Sequence, residues 1–209
     1  EQRRARRWGI LFKVLTFSYL FILLFVALGW VDDVRVNTSG THTALIDITG
    51  VISSDGMSNA DNINASLQSA FKDKKTQGVI LRINSPGGSP VQAGYINDEI
   101  RRLRTKYPKI PLYAVVGDVC ASGGYYVAVA ADKIFVDKAS LVGSIGVLMD
   151  GFGFTGTLEK LGIERRLLTA GENKGFLDPF SPSDPKQKAH AQLLLGEIHE
   201  QFIRVVQDG

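Results

Sequence analysis

Twice in this chain an apolar run ends in adjacent glycines and passes directly into a segment with helical spacing, and few folds accommodate that order. Gly78-Val-Ile-Leu-Arg-Ile83 is apolar almost throughout, the pattern of a strand covered on both faces. It leads into Asn84-Ser-Pro-Gly-Gly-Ser-Pro90, where Ser89 suits a helix N-cap and Pro90 the first helical position. Ile96, Ile100, Leu103 and Tyr107 then share one face of the helix that follows. The second instance starts at Leu112-Tyr-Ala-Val-Val116, turns through Asp118-Val-Cys-Ala-Ser-Gly-Gly124 and continues as an apolar helix, Tyr125–Ala131. Strand, crossover helix, strand is the order of a parallel sheet with right-handed connections, whose ligand-facing loops lie at the strands' carboxyl ends. The pattern predicts strands at 44–48, 78–83, 112–116, 133–136, 146–150 and 165–169. It predicts helices at 58–73, 90–106, 122–131, 156–161 and 185–206, with a loop over 170–183. The last helix has Leu194, Ile198, Phe202 and Val205 on its expected buried stripe. The expected class is α/β, with one domain of roughly 165 residues, enough for its own core.

The same two turns are where chemistry is expected. Ser122 sits where a strand gives way to a helix, beside backbone N–H groups of a helix N-terminus. That layout suits an activated nucleophile and suits equally a serine that only caps the helix, and Ala-Ser-Gly-Gly is not the usual hydrolase elbow. Gly87 and Gly88 let main-chain N–H groups approach a ligand closely. Paired donors at a strand end fit a tetrahedral oxyanion, one such donor being worth roughly 2.7–4 kcal/mol of barrier. Without a ligand the same residues are a tight turn. Neither Gly-x-Gly-x-x-Gly nor the Walker pattern is present, which argues against a phosphate loop.

A serine nucleophile needs a base within hydrogen-bond reach and a group to orient that base. His42 precedes the first strand, His190 and His199 lie in the late charged helix, and none has an obvious orienting carboxylate. All three are read as structural or solvated. A free lysine has a pKa of about 10.4, so a lysine base must be desolvated or placed near another cation. Lys174, in Ala170-Gly-Glu-Asn-Lys-Gly-Phe-Leu-Asp-Pro-Phe180, is set among glycines and aromatics, whereas Lys72, Lys74, Lys75, Lys106, Lys109, Lys186 and Lys188 sit in polar clusters. Cys120, the single cysteine, excludes an internal disulfide and reads as a small buried residue, not a nucleophile. No residues have metal-ligand spacing, so neither a metal nor another cofactor is expected.

Four segments together carry a family resemblance: Asn84-Ser-Pro-Gly-Gly-Ser89, Ala121-Ser-Gly-Gly-Tyr-Tyr126, Val142-Gly-Ser-Ile-Gly-Val147 and Ala170–Phe180. In order and spacing the chain resembles the bacterial signal peptide peptidase A (protease IV) family, the S49 serine peptidases, from about Ala44 to Val206. The resemblance implies a Ser-Lys dyad with Ser122 as nucleophile and Lys174 as general base. It implies that Ser144 holds the lysine amine, that Gly88 and Gly123 supply oxyanion N–H donors, and that Gly87 shapes the turn. It further implies a ClpP/crotonase-like βαβ-superhelix, and cleaved signal peptides and other membrane-associated or misfolded peptides as substrates. It implies, too, a homo-oligomeric ring whose active site is shared between neighbouring protomers, as in short relatives. Relatives also continue beyond the position of Gly209, so a C-terminally shortened domain is expected. Two rivals stand beside this reading: a non-catalytic membrane scaffold of the same fold, and a crotonase-type acyl-CoA enzyme. A membrane anchor and the absence of glutamates beside the glycine turns argue against the second.

The N-terminus sets the expected location. From Val14 to Trp30 the apolar run is interrupted only by Thr16, Ser18, Tyr19 and Gly29, and Trp8 and Trp30 are placed like interfacial anchors. Arg3, Arg4, Arg6 and Arg7 precede it and Asp32 and Asp33 follow, which predicts a cytoplasmic N-terminus and a domain on the far side of a bacterial inner membrane. The reading is a basic flank over 1–13, a single-pass transmembrane helix over 14–31, a linker over 32–43 and the peptidase domain over 44–209. An uncleaved anchor is preferred to a signal peptide, because the apolar run is long for one. The chain has 24 basic and 21 acidic side chains, of which five and one fall in residues 1–13. The remainder holds 19 against 20, a net of −1, which leaves no basic surface for nucleic acid.

Overall fold

The computed structural model describes residues 2–27 and 40–209, which fall into two compact units divided at Gly40. The first contains helix α1, Gln2–Ala27. Apolar side chains from Trp8 to Leu24 are exposed around its whole circumference. Among the described residues no helix is long and apolar enough to cross a membrane, so the transmembrane span expected over 14–31 is not supported by the structure. Residues 28–31, with Trp30, and most of the expected linker, with Asp32 and Asp33, lie outside the described residues.

The second unit is built on β1 (His42–Thr49), α2 (Ala60–Lys72), β2 (Thr76–Ser85), α3 (Pro90–Lys106), β3 (Leu112–Ala121) and α4 (Gly123–Ala128). It continues through β4 (Lys133–Phe135), β5 (Leu141–Gly143), α5 (Thr155–Lys160) and α6 (Pro185–Gln207). All strand pairings are parallel, in the order β1-β2-β3-β4, with β5 pairing the end of β3 beyond β4. Parallel neighbours cannot be joined by tight turns, and α2 and α3 supply the crossovers. The α/β expectation therefore holds.

Helix α3 starts and stops where the sequence puts it. Ser89 Oγ accepts from the Gln92 N–H at 3.4 Å, Pro90 occupies the first turn, and Ile96, Ile100 and Leu103 are buried against the sheet. Tyr107, expected on the same stripe, lies just past the helix and is half-buried, its ring 5.8 Å from that of Phe71 on α2.

Several expectations are corrected. β2 is not covered on both faces: Val79, Leu81, Ile83 and Ser85 are buried, while Arg82 is exposed on the other face and pairs with Asp47 of β1. The helix expected over 122–131 is only six residues long. No strand forms at 146–150 or 165–169; a short strand forms instead at 141–143. Those two segments remain outside the sheet, and Leu148, Met149, Leu167 and Leu168 are exposed. Helix α6 buries Ala191 and Phe202, but Leu194 and Ile198 stay partly exposed because its contact with the core is made near its C-terminal end, where Phe202 meets Tyr126 at 5.0 Å.

Candidate active site

The site lies at the carboxyl ends of β2 and β3. Their register brings Ser85 opposite Cys120, after an irregularity between Ile83 and Ser85. Asn84 ties the two ends together: its Oδ1 accepts from the Val119 N–H at 3.1 Å and its Nδ2 donates to Asp118 at 3.3 Å. The chain then turns through Gly87 at φ 101° and Gly88 at φ 150°, backbone that only glycine adopts without strain.

Packing makes the same demand. A Cβ on Gly88 would lie 2.1 Å from the Ile52 carbonyl oxygen, and one on Gly87 would lie 2.7 Å from both the Gly123 nitrogen and Ser122 Cβ. The Ile52 N–H donates to Gly87 O at 2.9 Å and Ile52 O accepts from the Ser89 N–H at 2.8 Å. In such a parallel bridge the residue between the two bonded ones directs its own N–H the opposite way. The Gly88 N–H is thereby turned from Ile52 towards the β3 turn, where the Gly88 nitrogen lies 3.3 Å from the position of a Cβ on Gly123. Beneath the turn, buried Ser85 donates through Oγ to Gly50 O at 2.6 Å and accepts from the Gly87 N–H at 3.1 Å.

Ser122 occupies the N-cap position of α4, yet its side chain makes no capping hydrogen bond. Its backbone is held at φ 51°, ψ −120°, a region that costs a non-glycine residue about 1–3 kcal/mol unless its surroundings fix it. Those surroundings are two main-chain bonds, the Ser122 N–H to Gly143 O at 2.8 Å and the Tyr126 N–H to Ser122 O at 2.9 Å. The side chain is thus free of the structural duty that a capping serine would have. With only six residues, α4 contributes a weak dipole, and the main-chain N–H groups beside Ser122 are those of Gly88 and Gly123.

Ser122, Gly88 and Gly123 together line one end of a groove of about 380 Å³ between α3 and α6. Ser144 follows directly on Gly143, whose carbonyl holds Ser122, and is itself at φ 55°. Lys174 is not brought in: it is exposed, in a turn where its N–H donates to Gly171 O at 3.3 Å, and it is not part of the groove wall. The histidines are elsewhere. His42 lies at the start of β1 near Thr76 (3.2 Å) and Asp73 (3.7 Å), His190 packs edge-on to Phe176, and His199 is exposed. Cys120 is fully buried, and burial pushes its thiol up to about 12, far from a reactive thiolate. Sequence reasoning missed Ile52, Asn84 and Ser85 as supports of the turn. Ser85 carried a signal, being a small hydroxyl at the end of an apolar strand just before Pro-Gly-Gly, whereas Ile52 carried none.

A parallel α/β protein with a strained, uncapped serine set against two glycine turns belongs to the class that gathers main-chain donors at the end of a sheet. The family follows from comparison: the model for peptidase family S49 matches residues 104–209, just over half of the chain, and the chain belongs to that family. It is 32% identical over 187 residues to a protein of Enterococcus faecium named "Putative signal peptide peptidase SppA", covering 85% of this chain and 54% of that one. It is 30% identical over 171 residues to "Protease 4" of Haemophilus influenzae, covering 79% and 27%. It is also 41% identical over 179 residues to "Na(+)/H(+) antiporter NhaA" of Brucella abortus, covering 83% of this chain and 24% of that protein. The chain thus spans between a quarter and about half of the length of these relatives.

Proposed function

We propose that this chain is the catalytic part of a serine endopeptidase with a Ser-Lys dyad on a ClpP/crotonase-type βαβ-superhelix. The observation that carries the reading is Ser122 itself: strained at φ 51°, without a capping bond, and flanked by Gly88 and Gly123. In the proposed mechanism neutral Lys174 takes the Ser122 proton as Oγ attacks a peptide carbonyl. The Gly88 and Gly123 N–H groups stabilise the oxyanion, and protonated Lys174 then gives its proton to the leaving amine. Water hydrolyses the acyl-enzyme. Ser144 positions the lysine amine, and Gly87 keeps the turn open. No cofactor takes part.

Because Lys174 is exposed and outside the groove of its own chain, the base is assigned to a neighbouring copy in a homo-oligomeric ring. The proposed substrates are remnant signal peptides and other membrane-associated or misfolded peptides, a reading supported by the name of the Enterococcus relative. Association of α1 with a bilayer belongs to the same proposal and rests on its exposed apolar side chains, as does a domain outside the bacterial inner membrane. The exposure of Lys174 is also what favours the rival reading of a non-catalytic scaffold. Labelling with a fluorophosphonate separates the two. The protein acquires the label and Ser122→Ala does not; a wild-type protein that stays unlabelled and hydrolyses no peptide sinks the peptidase reading.

A further inference from the structure

The groove beside Ser122 has one charged residue in its wall. Running away from Gly88 and Gly123, it is lined by Val91, Ala93 and Tyr95 of α3, Tyr126 of α4, and Ile198 and Phe202 of α6. Asp98 and Gln201 are the polar side chains farther along these helices. At 1.5 Å per residue, Asp98 stands about 12 Å along α3 from Pro90, where the oxyanion turn ends. Its carboxylate takes part in no ion pair or side-chain hydrogen bond among the described residues. It lines the groove and is exposed at its edge; burial first and the Asp98 charge second hold the Tyr126 phenol above its usual range, while the Gln201 side chain pulls the other way. The cations one turn on along α3 are committed elsewhere: Arg101 donates to Asn97 Oδ1 at 3.0 Å and to Val205 O at 3.2 Å, and Arg102 pairs with Glu99.

An apolar channel ending in an unpaired carboxylate matches one kind of side chain, a long aliphatic stem with a cation at its tip. Asp98 is exposed at the groove's edge, so a purely apolar side chain would fill the channel and leave the carboxylate without a partner, whereas a cation at its tip would pair it. We infer that Asp98 is a specificity residue that selects peptides carrying lysine or arginine within three positions on the acyl side of the bond attacked by Ser122. The inference rests on the peptidase reading for the position of the cut, but not for the binding itself.

Short alanine-based peptides that differ only in lysine or methionine at each of those three positions supply the test, since methionine has a similar unbranched stem without charge. The lysine peptide at one position is cleaved with a kcat/KM about fivefold higher at low salt, the upper range of an exposed ion pair, and the preference shrinks at high salt. Asp98→Asn brings the ratio to unity, and Asp98→Lys inverts it in favour of a glutamate peptide. In parallel, fluorescein-labelled peptides are bound to Ser122→Ala and followed by anisotropy; lysine binds more tightly than methionine, and Ser122→Ala/Asp98→Asn loses the difference. Ratios unchanged by Asp98→Asn overturn the inference while leaving the peptidase reading intact. If no peptide is cleaved and Ser122 takes no label, the peptidase reading fails. The anisotropy comparison then decides the groove alone, and equal binding of the two peptides overturns it.

Discussion

Ser122 and the glycines facing it show how little room the site leaves for substitution. A methyl group on Gly88 would meet the Ile52 carbonyl at 2.1 Å, so Gly88→Ala must displace the turn and, on the proposed mechanism, carry its N–H away from the oxyanion. Loss of one such donor costs about 10²–10³ in kcat, and fluorophosphonate labelling of Ser122 slows accordingly. Gly196, half-buried on α6 but with nothing within 4 Å of an added Cβ, is the contrasting case. Gly196→Ala raises stability by about 0.5–1 kcal/mol in a urea melt, because it removes backbone freedom from the unfolded chain. Cys120 gives a pH signature. Its folded-state pKa of about 12 lies above the ordinary 9.0, so the folded protein binds the proton more tightly than the unfolded chain. The stabilisation is complete below pH 9 and is lost as pH rises towards 12; denaturation midpoints fall over that window, and less steeply in Cys120→Ala.

Among the elements, α3 was the most legible because three independent signals agree on it: the Ser89 cap, Pro90 in the first turn, and the Ile96, Ile100, Leu103 stripe. Its contact with α4 was not legible, since Asn97 looks like any polar helix residue. In the structure Asn97 is buried, donating through Nδ2 to Tyr126 O at 2.7 Å and accepting from Arg101. Asn97→Ala orphans that carbonyl and costs about 1–3 kcal/mol in chemical denaturation. It also loosens the helix that follows Ser122, so labelling slows in the folded mutant as well. The strands expected at 146–150 and 165–169 failed for a different reason. Sequence preference for a strand is weak unless packing supports it, and in the structure these segments lie outside the sheet with Leu148, Met149, Leu167 and Leu168 exposed. The turn carrying Lys174 could be recognised as unusual from its glycines and aromatics, but its distance from the groove could not, because that depends on how segments far apart in sequence pack.

For the whole molecule, the proposed pairing of Ser122 with Lys174 of a neighbouring copy is the quantity to measure. If Lys174 serves a neighbour, Ser122→Ala and Lys174→Ala proteins are each inactive alone. Equal mixtures, dissociated and reassembled, recover about a quarter of wild-type hydrolysis, the share of head-to-tail contacts that pair an intact serine with an intact lysine. No recovery in mixtures that sedimentation proves to be mixed oligomers refutes the shared site. If the proposed ring forms through the exposed Leu148, Met149, Leu167 and Leu168, their change to aspartate prevents assembly in the same sedimentation experiment.

The bridge from Ile52 to the strand-end glycines has a practical outcome for proteolysis. The backbone that aims the Gly88 amide is clamped by a residue that arrives from the sheet's outermost strand, and the stretch from Ser53 to Met57 keeps that clamp tethered to α2. On the proposed mechanism, a single nick between those residues would silence the serine without removing any group that reacts. The first sign of such damage would be an intact Ser122 that no longer turns over, in a protein whose helices all remain.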